Sequence, residues 1–244
     1  MFKKIILVVS VILSAQSSFC QFNDSIQHHF TFASTGTYNK TKELKSFVLS
    51  NSAGYETSKK KLGFSTFASW IYGNQNKQLS NNDVSAGANL DYLKDVKPLY
   101  YWALLNFDES YSLKINYRFQ SGVGLGYTVA KEKNFNLGLS DGFVYETSDL
   151  TDARIGRDIY QTVRNSFRVK YRWDYNDRFV LEGSNFIQPS ILSLKDYIIK
   201  LNNKLSVKLN KWLAIDAAME YNKISRTNRE NILLTYGLAV DKYF

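Results

Sequence analysis

Apolar and polar side chains alternate one for one along most of the chain. Leu113, Ile115, Tyr117 and Phe119 are interleaved with Lys114, Asn116, Arg118 and Gln120. Val163, Phe167, Val169, Tyr171 and Trp173 alternate with Arg164, Ser166, Arg168, Lys170 and Arg172. Ile199, Leu201, Leu205, Val207 and Leu209 alternate with Lys200, Asn202, Lys204, Ser206 and Lys208, and the same period runs from Ile232 to Asp241. A repeat of two is the signature of a strand with one apolar and one polar face. The pattern predicts about twelve strands, near residues 26–38, 43–56, 60–72, 82–94, 98–108, 112–130, 134–148, 158–175, 178–188, 195–209, 212–222 and 230–244. Short polar punctuators separate them, such as Gly73-Asn74-Gln75-Asn76 and Tyr175-Asn176-Asp177. No linker or composition break divides the chain, so it reads as a single domain.

Connection lengths add direction. Counted from the N-terminus, the even connections are short, whereas several odd ones, Gly73–Asn81, Asp149–Arg157 and Lys223–Arg229, look longer. Outer-membrane barrels have tight periplasmic turns, longer outer loops and an even strand count. About 9–11 tilted residues suffice to cross the hydrocarbon, and the segments reach or exceed that. Trp70, Tyr72, Tyr92, Tyr127, Tyr145, Trp173, Phe179, Tyr197 and Tyr221 fall near segment ends, where interfacial aromatic girdles are expected. The polar faces carry charges, which a soluble lipocalin-like barrel would not enclose. The expected fold is all-β: a closed antiparallel transmembrane β-barrel of about 12 strands.

The N-terminus changes the compartment. Met1-Phe2-Lys3-Lys4, the apolar run Ile5 to Leu13 and the small polar stretch up to Cys20 follow the order of a secretory signal peptide. Residues 1–20 are therefore expected to be removed, leaving a barrel over 21–244. The bulky Phe19 argues against lipidation at Cys20. Without Cys20 the mature chain has no cysteine, hence no disulfide and no thiolate chemistry. The net charge of +9 falls to +7 with the loss of Lys3 and Lys4. Export and the scatter of the basic residues argue against nucleic acid as a partner. The terminal strand ends in Phe244, as in the signal read by outer-membrane assembly machinery, although Lys242 stands where an apolar or aromatic residue is usual. Expected partners are outer-membrane lipid and that machinery, with the barrel a monomer in the outer membrane of a Gram-negative cell.

Candidate chemistry is sparse. His28 and His29, the two histidines, are neighbours on a strand, point to opposite faces and cannot share a metal. No phosphate loop, zinc spacing or calcium loop occurs. Asp24, Asp108-Glu109 and Asp149/Asp152 read as loop or rim acids. Neither a catalytic site nor a cofactor nor a metal is expected. The inward faces are more informative. With apolar residues turned to lipid, Lys114, Arg118, Arg164, Arg168, Lys170, Arg172, Arg178, Lys200, Lys204 and Lys208 point into the lumen, against the acids Glu146, Asp174, Glu182, Asp216 and Glu220. Such groups must be paired or wet, because an isolated charge in a dry interior costs several kcal/mol. Two readings follow: a narrow anion-preferring pore with a basic lumen, or a structurally filled, non-conducting envelope barrel. A soluble periplasmic ligand-binding barrel is a third.

The run Ser121-Gly122-Val123-Gly124-Leu125-Gly126-Tyr127, followed by Leu137-Gly138-Leu139-Ser140-Asp141-Gly142-Phe143, resembles the salt-induced outer-membrane protein family of unknown function. The resemblance implies an outer-membrane barrel and brings no substrate or catalytic residue. On physical grounds Gly122, Gly124 and Gly126 share one strand face, where they make room in the lumen or ease the curvature of the sheet.

Overall fold

The computed structural model describes residues 28–41, 45–59, 61–93, 98–152 and 156–243. Its regular structure is β throughout: β1 (His28–Lys40), β2 (Lys45–Lys59), β3 (Leu62–Gln75), β4 (Gln78–Tyr92), β5 (Leu99–Ser110), β6 (Ile115–Lys131), β7 (Phe135–Asp152), β8 (Gly156–Asn165), β9 (Phe167–Tyr175), β10 (Phe179–Pro189), β11 (Tyr197–Lys208), β12 (Leu213–Ile224) and β13 (Arg229–Tyr243). Neighbours in sequence pair antiparallel, and β13 returns to β1, from His29 opposite Tyr243 to Thr35 opposite Gly237. β8 and β9 keep one register against β7, with Phe143 opposite Asn165 and Ser140 opposite Arg168. They are one strand interrupted at Ser166, so the closed barrel has twelve strands. The expected signal peptide, the expected cleavage point, Asp24 and Phe244 lie outside the described residues.

The strands are hairpin partners because their turns carry the right residues. Asn76-Lys77 and Asn176-Asp177 adopt φ values of 51° and 67°, and of 54° and 53°. Two consecutive left-handed residues match the twist of the flanking strands, and Asn and Asp tolerate that region best. The expected contrast in loop length is largely missing. Gly73–Asn81 is strand apart from its two-residue turn, and only residues 225–228 separate β12 from β13. The alternation simply continues through those polar residues. Ser190–Asp196, joining β10 to β11 at the end away from the termini, is the longest described connection.

Leu90, Leu105, Val123, Leu125, Phe143, Ile215 and Leu238 face outward and are exposed, as are Tyr92, Tyr101, Tyr127, Trp173, Tyr175 and Phe179 toward the end that holds the termini. Trp70 stands at the opposite rim, ring to ring with Tyr72 at 6.0 Å. Tyr145 is also exposed on the outer wall, while Tyr72, Tyr197 and Tyr221 are half-buried. An apolar belt with aromatic ends is what a bilayer-spanning barrel requires.

The inner face departs from a simple oily-outside rule. Tyr100, Trp102 and Leu104 on β5 are buried inside, as are Val144, Leu150, Ile198 and Ile224. At the start of β6 a register shift between Ile115 and Tyr117 inserts an extra residue. Ile115 is thereby buried within while Tyr117 lies exposed on the outer wall.

Candidate functional site in the barrel lumen

Eight of the ten basic residues marked out by sequence lie along the inner wall. The other two need correction. Lys114 belongs to the turn before β6, with φ of 60° and its Nζ 4.2 Å from the centre of the Tyr111 ring. Arg178 is exposed in the turn before β10, because that strand starts only at Phe179. Asp108, read as a loop acid, is instead buried inside β5. Asp83 on β4 also faces inward, and together they offset much of the expected excess of positive charge.

The half of the lumen away from the termini is the more tightly packed, and at its centre an ion pair is sealed from solvent. Glu146 on β7 and Arg164 on β8 have side chains with 0% exposure and meet at 3.0 Å. Glu146 also accepts hydrogen bonds from Tyr160 Oη and Gln120 Nε2, each at 2.6 Å. Arg164 reaches Asp196 of the β10–β11 connection at 3.0 Å. These additional bonds matter, since a buried ion pair breaks even only when its remaining donors and acceptors are satisfied. Beside it Arg118 binds Asp108 through Nε and Nη2 at 3.2 and 3.0 Å. Lys200 on β11, nearly opposite in the ring of strands, reaches the same carboxylate at 3.0 Å. That contact is a strut across the lumen. Further toward the rim, Leu113, Ile115, Leu150 and Ile224 form one buried apolar cluster with Tyr160 packed against it. They come from three stretches of the ring, the start of β6 with the turn before it, β7 and β12, and so span the lumen. Above them Arg226 lies 3.8 Å over the Tyr160 ring and pairs with Asp158 and Asp196, both at 3.3 Å.

The half nearer the termini is wetter. Arg172 and Lys204 flank Glu182 at 2.7 and 2.8 Å, Lys204 also approaches Asp216 at 3.6 Å, and Lys208 meets Asp174 at 3.2 Å. The basic side chains there are about a third exposed, so they form a hydrated ladder of alternating charge. Arg168 donates to Ser140 Oγ at 3.0 Å and lies over the Trp102 and Phe186 rings. Lys170 shares this face. Back in the half away from the termini, Glu220 points toward a small cavity, roughly 60 Å³, that also borders Asp83, Asp108, Arg118 and Lys200. His29 faces inward near Glu56 at 3.7 Å, and His28 outward against Tyr55 at 2.7 Å, so the two histidines stay apart.

The glycine run has a definite job. A Cβ at Gly124 would sit 2.5 Å from the Trp102 ring, and one at Gly126 would run into the Tyr100 ring. The bare wall of β6 is the slot in which two β5 aromatics lie flat, filling the lumen from the side.

Sequence reading missed Asp83, Asp108 and the four-residue apolar cluster. Period two marks faces but not bulges, and it says nothing of which strands stand opposite each other.

The closed twelve-strand wall, its aromatic ends and its charged interior define an outer-membrane-type β-barrel. The match to a family model of proteins of unknown function, DUF481, over residues 23–240 is nearly end to end, and the chain belongs to that family. No curated protein gives a significant match. Among solved structures, the NanC porin is similar at TM-score 0.50 and 13% identity, over 87% of this chain and 98% of that one. The translocator domain of the autotransporter NalP from Neisseria meningitidis gives TM-score 0.49 at 11% identity, over 98% and 94%. The COG4313 outer membrane channel from Pseudomonas putida F1 gives 0.49 at 9%, over 94% and 99%. At 13% identity the likeness to the NanC porin shows the fold alone.

Proposed function

We propose that this chain is a monomeric outer-membrane barrel of a Gram-negative cell, with a filled and axially closed lumen and no catalytic role. It is exported by a leader over residues 1–20 and inserted through a terminal strand ending in Phe244. The observation that carries the closed lumen is the zero exposure of the Glu146 and Arg164 side chains beneath the Leu113–Ile115–Leu150–Ile224 cluster. A hydrated pore would wet them. Purified protein in planar bilayers tests this. Silence at high protein is expected, and sustained openings would overturn it.

A second reading, a narrow anion-preferring passage, is favoured by the wetter stretch of Arg168, Lys170, Arg172, Lys204 and Lys208. It predicts openings whose reversal potential in a KCl gradient shifts toward that of chloride. Recovery of the chain without detergent would instead support a soluble periplasmic barrel. The resemblance to the salt-induced family adds the expectation that synthesis rises with external salt, which transcript measurement in low and high NaCl would check.

A further inference from the structure

The rim away from the termini is notched. β7 and β8 stay paired up to Asp152 opposite Gly156, but the strand on the other side of β8 stops much lower. β10 follows β9 to Ile187 opposite Phe167, and the same register carries it to Ser190 opposite Arg164. One further ladder bond, from Ile191 N to Val163 O at 2.9 Å, ends the pairing before the connection leaves for β11. Gly156–Thr162 therefore has β7 on one side and no strand on the other among the described residues. Alternate residues of an antiparallel strand turn both backbone groups to the same side. Because Val163 turns its carbonyl toward β10, Ile159 and Gln161 turn their N–H and C=O into the gap.

The notch is a cleft rather than a plain edge. An open cavity of about 340 Å³ lies against it, lined by Gln161 and Thr162 of β8, by Ser190, Ser193 and Lys195 beneath, and by Arg226 of the β12–β13 turn. That volume is within the range of ligand sites. Asp158 and Asp196, the acids beside it, are already held by Arg226 and Arg164. Arg226 Nε is nevertheless buried and donates no hydrogen bond, because its contact with Asp196 lacks the geometry for one. Lys195 is exposed and has no ion pair among the described residues. On the outer wall the notch is flanked by Ile159 and Ile191, 59% and 53% exposed.

A bare strand edge is a template for another extended backbone, and the side chains around it select which. We propose that the notch binds an extended peptide segment of another protein, added to the sheet beside β8 along the antiparallel line that β10 leaves. The side chains of that segment alternate, acidic ones turned into the cavity toward Lys195 and Arg226, apolar ones turned outward beside Ile159 and Ile191. The inference goes beyond the filled lumen, since nothing has to enter the barrel.

The test uses the full barrel in zwitterionic detergent micelles, with a fluorescein-labelled heptapeptide of alternating Val and Asp as the probe. Its anisotropy should rise to saturation, above the signal from empty micelles. The same peptide with Lys in place of Asp, and the Val–Asp peptide methylated on its backbone nitrogens, should each bind about tenfold more weakly or worse. Gln161→Pro removes an edge donor without touching the β7 ladder, and a loss of about tenfold is expected. Lys195→Glu should weaken the Asp peptide and strengthen the Lys peptide, an exchange that a merely disordered rim would not give. Circular dichroism of each variant checks the fold. Absence of saturable binding by the Val–Asp peptide overturns the proposal, as does equal binding by the Lys or the methylated peptide. A dimer in sedimentation that Gln161→Pro dissociates also overturns it, because a second copy would then fill the edge.

Discussion

Replacing Glu146 with Gln removes the countercharge of a guanidinium that has no access to water. Arg164 keeps Asp196 at 3.0 Å, and of its two bonds to position 146 it can keep the one to the remaining amide oxygen while losing the other and the charge. Breaking a fully buried pair from one side costs about 3–5 kcal/mol, and the surviving Asp196 contact puts Glu146→Gln near the lower end. Arg164→Met leaves a buried carboxylate with the hydrogen bonds of Tyr160 and Gln120 and the nearby Arg118 charge, but without its paired guanidinium, and belongs within the same range. The double variant replaces both charges and should lose much less than the sum, because apolar or neutral replacements of similar volume are often close to neutral. Urea unfolding in lipid vesicles, followed by the fluorescence of the four tryptophans, gives all three values. Two single changes that each cost under about 1 kcal/mol, the range of exposed pairs, and that add without coupling would refute the sealed ion pair.

Other variants probe the same interior. Leu113→Ala with Ile224→Ala should thin the apolar cluster and bring brief single-channel openings in planar bilayers, whereas unchanged silence would mean that other groups seal the axis. Gly126→Ala should destabilise by about 1–3 kcal/mol, the usual penalty for overpacking, with rescue by Tyr100→Ala in the same urea assay. Arg157→Ala should cost about 1–3 kcal/mol, because although Arg157 is 67% exposed its partner Asp149, 2.6 Å away, is 3% exposed and keeps only Asn116. A loss under about 0.5 kcal/mol would show that solvent replaces Arg157 at the Asp149 carboxylate.

Strand positions were legible because a half-buried wall enforces period two. The segment expected at 158–175 is β8 plus β9, and that expected at 178–188 is β10 to within a residue. The lumen was legible only in polarity. Asp108 and Lys200 are separated by 92 positions, and nothing in local alternation says that β5 and β11 stand across from each other. The bulge that turns Ile115 inward leaves no mark in residue type. On β5 both faces are apolar, so the pattern there could not tell wall from filling. The glycines of β6 were read correctly as space on one face, while the Tyr100 and Trp102 rings that occupy it became visible only with the strand pairing.

The two buried ionic contacts differ in when they can form. Glu146 and Arg164 sit on consecutive strands, so a single nascent hairpin can neutralise both charges before it meets hydrocarbon. The strut from Lys200 to Asp108 needs most of the ring in place. Until those two strands face each other, Asp108 has Arg118, on the paired strand β6, as its local counter-ion, and the lysine is a clasp that engages only when opposite sides of the ring are in place.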